Sequence, residues 1–302
     1  MPQTHRVLDE RPLQWLLSFA MAFRTLLAVC LLPHAFAKVY QGTMSMWAST
    51  KDTLVAYKSE GSACKFADRK MGGLNAATAQ TPYITSRNYC AVNRGLFGNG
   101  EICGRCYRLT YKGGHEQGLG KPGSDVVQIV DSGSWASFDC HMTAFNKITN
   151  YNTGFFPVSY EEVPCSTASQ GPVVGVLQYD YYWTKFVFSN LRYPVKSADL
   201  IIGGKNHPMK LIGGYWGAWT GPITGDTSFR ITEENGYTVN FNNCFGGWKR
   251  RKTGSACYAD GRRSLPIPAE KQLRGSAKSN ISEVVEVNVT QSNISEPRTF
   301  IP

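Results

Sequence analysis

Cysteine spacing constrains this 302-residue chain more than any other feature of its sequence. Cys30 lies in an apolar N-terminal run, and the other eight cysteines lie between Cys64 and Cys257. Six of those eight fall within residues 64–165. An even number of cysteines in an exported chain indicates structural disulfides. We therefore expect a fold that is stiffened by disulfides, most of them in the first half of the chain.

The N-terminus has the features of a secretory signal. Arginines precede an apolar run at 25–32, and the tripeptide Ala-Phe-Ala at 35–37 supplies a small-x-small cleavage site. A signal anchor is the rival interpretation because residues 13–32 are mostly apolar, but Arg24 near the middle of that stretch argues against it. We predict a signal peptide spanning 1–37 and a secreted, extracellular or cell-wall protein without stable membrane insertion after cleavage.

The C-terminal end is basic and carries glycosylation sites. The net charge of the chain is +10, and the run at 249–252 reads Lys-Arg-Arg-Lys. In a secreted protein such a run favours acidic polysaccharide or an anionic membrane surface, although a solvated tail or a processing site explains it equally well. Residues 263–302 contain sequons at Asn280, Asn288 and Asn293, so we predict a disordered, glycosylated tail there.

The rest of the sequence predicts an all-β protein with two domains. Short apolar runs are separated by turn residues, and the chain has 30 Gly and 15 Pro. A polar Gly/Pro break at 166–172 predicts a first domain over 45–168 and a second over 169–262, near the size of an immunoglobulin-like sandwich. The predicted strands are 107–111, 126–130, 158–163, 185–188, 198–202, 209–212, 228–232 and 237–241, and a helix is predicted at 142–149.

Two carboxylates in the first domain indicate sugar chemistry. Asp131 follows an apolar strand, and Asp139 comes eight residues later, between Phe138 and Cys140. Acids held on a stiff scaffold cleave glycosidic bonds or hydrogen-bond sugar hydroxyls. Burial beside Phe138 would raise the pKa of Asp139 and make it an acid donor. The alternative role of Asp139 is to cap the helix at 142–149.

The C-x-x-C motif formed by Cys103 and Cys106 has a structural explanation. Such motifs form redox pairs or half of a zinc site, but the sequence has no second copy. We expect Cys103 and Cys106 to bond different partners, and we predict no metal and no cofactor.

Together these motifs resemble the expansins, in the family's order and over about residues 50–247. The matching segments are Gly61-Ser62-Ala63-Cys64, Cys103-Gly104-Arg105-Cys106-Tyr107, Phe138-Asp139 with Ala144-Phe145, Val163-Pro164-Cys165, Tyr182-Trp183, Tyr193-Pro194-Val195 and Gly214-Tyr215-Trp216-Gly217. The resemblance implies a six-stranded double-psi β-barrel followed by an immunoglobulin-like, carbohydrate-binding β-sandwich. It also implies a protein that binds cellulose or related β-glucan and loosens non-covalent polysaccharide contacts without hydrolysis.

The resemblance carries a disulfide pattern and some departures. Ser137 stands where the family has His, and Gly133 stands where microbial members have an aromatic residue. A family threonine near the barrel start, expected to bind substrate, corresponds to Thr53 or Thr50. The implied pairs are Cys64–Cys103, Cys106–Cys165 and Cys244–Cys257, with Cys90–Cys140 as an addition to the usual plant pattern.

Family 45 endoglucanases share the implied barrel and supply the rival hypothesis. Their general acid aligns with Asp139, but Tyr57 occupies the position of their base. Inverting hydrolysis needs both groups, so we expect weak or absent hydrolysis, with Asp139 and Asp131 contacting polysaccharide. The alternatives are an endoglucanase that uses Asp68 or Asp131 as its base, and a plain carbohydrate-binding module.

Aromatic side chains of the second domain form the predicted binding surface. Flat rings stack on the C–H faces of sugars, and we expect a row made of Tyr182, Trp183 and either Tyr215 or Trp216. Trp219 is predicted to lie in the core. The predicted partner is cell-wall polysaccharide rather than nucleic acid, and the protein is expected to be a monomer.

Overall fold

The computed structural model describes residues 38–47, 61–68, 73–74, 77–180, 182–223, 225–246, 255–259 and 263–264. The predicted signal segment, the basic run at 249–252 and the position of Tyr57 lie outside these residues. So do Thr53 and Thr50, and the sequons at Asn280, Asn288 and Asn293.

Six strands close into a barrel, in the order β1-β7-β4-β6-β5-β8. β1 pairs with β7 and β4 with β6 in parallel, and the other barrel pairs are antiparallel. β1 begins at Tyr40, upstream of the predicted domain start at residue 45. The barrel strands are β1 (Tyr40–Trp47), β4 (Tyr89–Asn93), β5 (Cys106–Tyr111), β6 (Gly123–Ser134), β7 (Phe138–His141) and β8 (Phe155–Val163). The short strands β2 (Ala67–Asp68) and β3 (Gly73–Leu74) form a separate pair.

The helices are short except for the one that the sequence predicts. That helix, α3, spans Met142–Thr149 and packs Phe145 and Ile148 into the barrel core. Its N-cap is His141, whose Nδ1 accepts the Thr143 N–H at 3.1 Å. The interpretation of Asp139 as the cap is therefore wrong, because His141 occupies the N-cap position and accepts an N–H of the first turn. The other helices are a 3₁₀ turn at Thr78–Gln80, α1 (Pro82–Thr85) and α2 (Arg94–Phe97).

The second domain is a sandwich of two β-sheets. One sheet has the order β13-β14-β10-β9-β17-β18, and the other β12-β11-β15-β16. Between them lies a core that is rich in Phe, including Phe186, Phe229 and Phe241. The strands are β9 (Val173–Tyr179), β10 (Trp183–Ser189), β11 (Val195–Ile202), β12 (Lys205–Pro208), β13 (Lys210–Ile212), β14 (Tyr215–Trp219), β15 (Asp226–Glu233), β16 (Thr238–Gly246), β17 (Ala256–Tyr258) and β18 (Arg263–Ser264).

Among the described residues, four disulfides lie within the two domains. They are the four pairs that the resemblance implies: Cys64–Cys103, Cys90–Cys140, Cys106–Cys165 and Cys244–Cys257. The C-x-x-C cysteines thus have different partners, as predicted. Cys90 and Cys140 are also register partners of β4 and β7, so their bond ties the strand that carries Asp139 to its neighbour β4.

Polar contacts join the barrel to the sandwich, among them those of Asn99 and Arg105. Asn99 donates its Nδ2 to the Leu211 carbonyl at 3.2 Å and accepts the Gly213 N–H at 3.3 Å. Arg105 donates to Glu162 of β8 at 2.6 Å and also to both carboxylate oxygens of Glu234, in the turn between β15 and β16. No described helix combines the length and apolarity needed to span a bilayer.

Candidate functional site

One row of side chains crosses five adjacent strands of the barrel. Ser45 pairs with Phe155 on β8 and with Asp139 on β7. Ala91 on β4 pairs with Asp139 and also with Asp131 on β6. The strand neighbours of Ser45, Asp139 and Phe155 belong to the barrel core, so these three side chains face outward. We call Phe155, Ser45, Asp139, Ala91 and Asp131 the acid row.

Asp139 is the half-buried acid of this row. Its Oδ1 accepts a hydrogen bond from the Ser45 hydroxyl at 2.7 Å. Burial raises the pKa of Asp139, and the hydrogen bond from Ser45 offsets only part of that rise. A carboxyl in this state can donate its proton to a sugar oxygen at mildly acidic pH, or accept a hydroxyl when ionised.

Asp131 has a different environment, and the structure departs from the expectation that it contacts polysaccharide. It is only 6% exposed. Its Oδ1 accepts the N–H of Ala63 at 2.6 Å and of Ser132 at 2.8 Å. The carboxylate thereby ties the segment 61–68 to β6. Two strand spacings separate it from Asp139, or about 10 Å between the two backbones.

Ser45 is a site residue that sequence reasoning missed. It lies in β1, which was not among the predicted strands. The signal was the alternation Thr43-Met44-Ser45-Met46-Trp47, in which Met44 lies in the core and Ser45 faces outward. The predicted threonine position is outside the described residues, whereas Ser45 supplies a hydroxyl in contact with Asp139.

The departure at Ser137 also has a structural account. Its Oγ accepts the Thr43 N–H, and its own N–H donates to the Thr43 hydroxyl, each at 3.2 Å. A Cβ at Gly42 would come within 2.8 Å of the Ser137 hydroxyl, so the small side chain fits a tight junction between β7 and β1.

A patch of exposed aromatic rings lies on the sandwich. Tyr182 and Trp219 are stacked, with ring centroids 6.3 Å apart, and Trp183 lies 6.2 Å from Trp219. Tyr182 is 45% exposed and Trp219 is 73% exposed. We call Tyr182, Trp183 and Trp219 the aromatic patch.

The prediction that Trp219 is a core residue is wrong. On β14 the inward positions are Trp216 and Ala218, which pack with the sandwich core. Strand alternation therefore places Trp219 on the outer face. It also removes Trp216 from the expected stacking row. Tyr215 is half-buried, with the Lys185 ammonium 4.9 Å from its ring centroid.

Comparisons with known proteins agree with this architecture. No protein-family model matches the chain. Expansin-A13 of Oryza sativa subsp. japonica is 28% identical over 217 residues, which cover 64% of this chain and 78% of that protein. Expansin-A23 of Arabidopsis thaliana is 27% identical over 175 residues, covering 51% of this chain and 61% of that protein. The match to the Arabidopsis protein thus spans about three fifths of its length.

Two solved structures share the fold. The crystal structure of apo Clavibacter michiganensis expansin has a TM-score of 0.53 and 17% identity, covering 73% of this chain and 96% of that chain. A point mutant of a Clavibacter michiganensis expansin, in complex with cellohexaose, has a TM-score of 0.52 at the same identity and coverage. At this identity the likeness establishes the barrel-plus-sandwich fold.

Proposed function

We propose that this chain, which is similar to a plant expansin over 64% of its length, is a secreted wall protein that binds cellulose or related β-glucan and disrupts polysaccharide contacts without hydrolysis. The observation that carries the proposal is the difference between the two acids of the acid row. Asp139 is within reach of a ligand and has a raised pKa, whereas Asp131 is buried and bonded to two backbone N–H groups. An inverting hydrolase needs a second acid that is free to activate water.

The aromatic patch supports glucan binding. Exposed Trp and Tyr rings on one sheet face offer flat apolar area to the C–H faces of sugars, at little cost in side-chain entropy. Tyr182 and Trp219 are nearly parallel, with an interplanar angle of 17°. Such a surface suits an extended polymer better than a small ligand that must be enclosed.

The acid row supports disruption of polysaccharide contacts. A protonated Asp139 can donate a hydrogen bond to a glucan oxygen that would otherwise pair with a neighbouring chain. Binding of one chain then competes with chain–chain hydrogen bonds, and no covalent bond is broken. The same interpretation predicts activity that rises as pH falls, because burial raises the pKa of Asp139.

Secretion is part of the same proposal. Eight cysteines form four disulfides, which persist in oxidising compartments and are rare in the cytosol. The predicted signal peptide and the sequons in the tail fit this route.

Three assays test the proposal together. We expect Trp183→Ala and Trp219→Ala to lose retention on insoluble cellulose, and Asp139→Asn to lose wall extension while keeping that retention. We expect no release of reducing sugar from soluble β-glucan. Turnover that Asp139→Asn abolishes would instead establish the endoglucanase alternative, and extension that is indifferent to Asp139→Asn would leave a binding module.

A further inference from the structure

An open cleft of about 620 Å³ is lined by no residue of the acid row or the aromatic patch. It runs along β5 and β6 of the barrel, the segment that follows β8, and one loop of the sandwich. Its polar lining consists of Ser86, Asn88, Arg108, Asp125, Ser166 and Arg192. The volume is in the range of ordinary ligand sites.

The one acid of this lining is already occupied by protein donors. Asp125 Oδ1 accepts the Val126 N–H at 2.8 Å, and Oδ2 accepts Asn88 Nδ2 at 2.8 Å. The Lys147 ammonium lies 3.4 Å from the same Oδ2. The negative charge of Asp125 is therefore balanced by the Lys147 ammonium and by two N–H donors, so that it repels an incoming anion only weakly.

The two arginines keep donors for a ligand. Arg108 uses one Nη on Glu161 at 2.9 Å, and its side chain is 50% exposed. A guanidinium has five N–H donors, so most of those on Arg108 remain. Arg192 is exposed, and among the described residues its guanidinium forms no ion pair within 4 Å and no hydrogen bond, although its charge acts on the nearby Glu233 carboxylate.

The backbone holds Arg192 at the cleft. Its carbonyl accepts the Cys165 N–H at 2.9 Å, and Cys165 is bonded to Cys106 of β5. Burial raises the pKa of Glu233 in the sandwich, and the backbone N–H and the charge of Arg192 offset part of that rise. The backbone of this arginine is thus held by a disulfide-anchored segment of the barrel domain, and its charge lies near Glu233 of the sandwich.

We propose that this cleft binds a uronic-acid residue of an acidic polysaccharide. A guanidinium recognises a carboxylate through two parallel N–H donors. The exposed hydroxyls of Ser86 and Ser166 are short polar groups suited to the ring hydroxyls beside such a carboxylate. The cleft adds a subsite for anionic sugars to the surface that binds neutral glucan in the proposed function. This inference rests on that function only for the choice of a polysaccharide as the ligand.

Titration with oligogalacturonate tests the site, with cello-oligosaccharide as the neutral probe. We expect Arg192→Gln to weaken oligogalacturonate binding about tenfold, and a double variant with Arg108→Gln to abolish it. Lys205→Gln removes the same charge at an exposed position on β12 and should change binding less than twofold. Retention on insoluble cellulose should be unchanged in all three variants.

Several outcomes would overturn the site. Equal weakening by Arg192→Gln and Lys205→Gln would mean diffuse attraction to a basic surface. Absence of oligogalacturonate binding, or equal affinity for polyglutamate or inorganic phosphate, would refute a uronate subsite. Failure of the unmodified protein to bind insoluble cellulose would refute the proposed function instead. The oligogalacturonate titration would still test the cleft, because it does not depend on cellulose binding.

Discussion

The indole ring of Trp183 lies directly over Gly217 on the neighbouring strand. A Cβ at Gly217 would come within 2.5 Å of the ring. The absence of a side chain at Gly217 therefore makes room for the indole of Trp183, whose ring centroid lies 6.2 Å from that of Trp219. We expect Gly217→Ala to push the indole out of this position and to weaken retention on insoluble cellulose about fivefold, the equivalent of about 1 kcal/mol.

Gly225→Ala is the matched control for that prediction, because a Cβ there would meet no neighbouring atom within 4 Å. A depletion isotherm on microcrystalline cellulose, measured for both variants, supplies the comparison. Equal retention of the Gly217→Ala variant and the unmodified protein would mean that the position of Trp183 does not matter for binding.

Ser45→Ala should shift the pH dependence of wall loosening upward. The hydrogen bond from Ser45 favours the ionised form of Asp139, so its loss raises the pKa of this acid further. The protonated form then persists to higher pH, and extension activity should fall off later as pH increases. Extension rates across acidic to neutral pH measure the shift, with Ser159→Ala as the control on β8.

The raised pKa of Asp139 should also make the stability of the protein depend on pH. A raised pKa means that folded Asp139 binds its proton more tightly than the unfolded chain does. The free energy of unfolding therefore falls as pH rises from the unfolded to the folded pKa of Asp139. Urea unfolding of Asp139→Asn should lack this component of the pH dependence. An identical slope in both proteins would contradict the assigned environment of Asp139.

Asp131→Asn should cost stability rather than remove a ligand contact. The buried carboxylate accepts N–H groups from Ala63 and Ser132. Weakening of these charge-assisted bonds costs about 1–3 kcal/mol, and the segment 61–68 should become more accessible to protease. Urea unfolding at neutral pH measures the loss. A variant of unchanged stability and lost wall extension would return Asp131 to a direct role.

Arg105→Gln should uncouple the two domains. Arg105 is only 16% exposed at its side chain and bridges Glu162 of the barrel and Glu234 of the sandwich. Burial alone would lower its pKa, but hydrogen bonds and charges of the two glutamates outweigh burial and raise it. We expect one calorimetric unfolding transition to broaden or split, with a loss of about 1–2 kcal/mol.

Arg230→Gln is the control for the domain contact. Its ion pair with Asp199 at 3.8 Å lies within the sandwich and is well exposed, and such pairs contribute about 0–1 kcal/mol. If both variants unfold in the same single transition, the Arg105 contact does not couple the domains.

Local patterns made much of this fold predictable. The helix at 142–149 has its apolar residues on one face, and the predicted strands alternate or form short apolar runs, so each pattern needs only its own neighbours in sequence. The sequence did not predict β1 because its apolar pattern is short. Met44 and Met46 are the strand's only strongly apolar residues that pack with the barrel core. The prediction for Trp219 was wrong because alternation along β14 points Trp216 and Ala218 inward and Trp219 outward.

By itself, the sequence determined the all-β class and the presence of structural disulfides, and it singled out Asp139 as a candidate acid. Those features depend on composition, short periodicities and motif order. Only the tertiary structure decided which acid is available, because the partners are distant: Ser45 lies 94 residues from Asp139, and Ala63 lies 68 residues from Asp131. Such contacts are set by strand register and barrel closure, which no local stretch of sequence encodes.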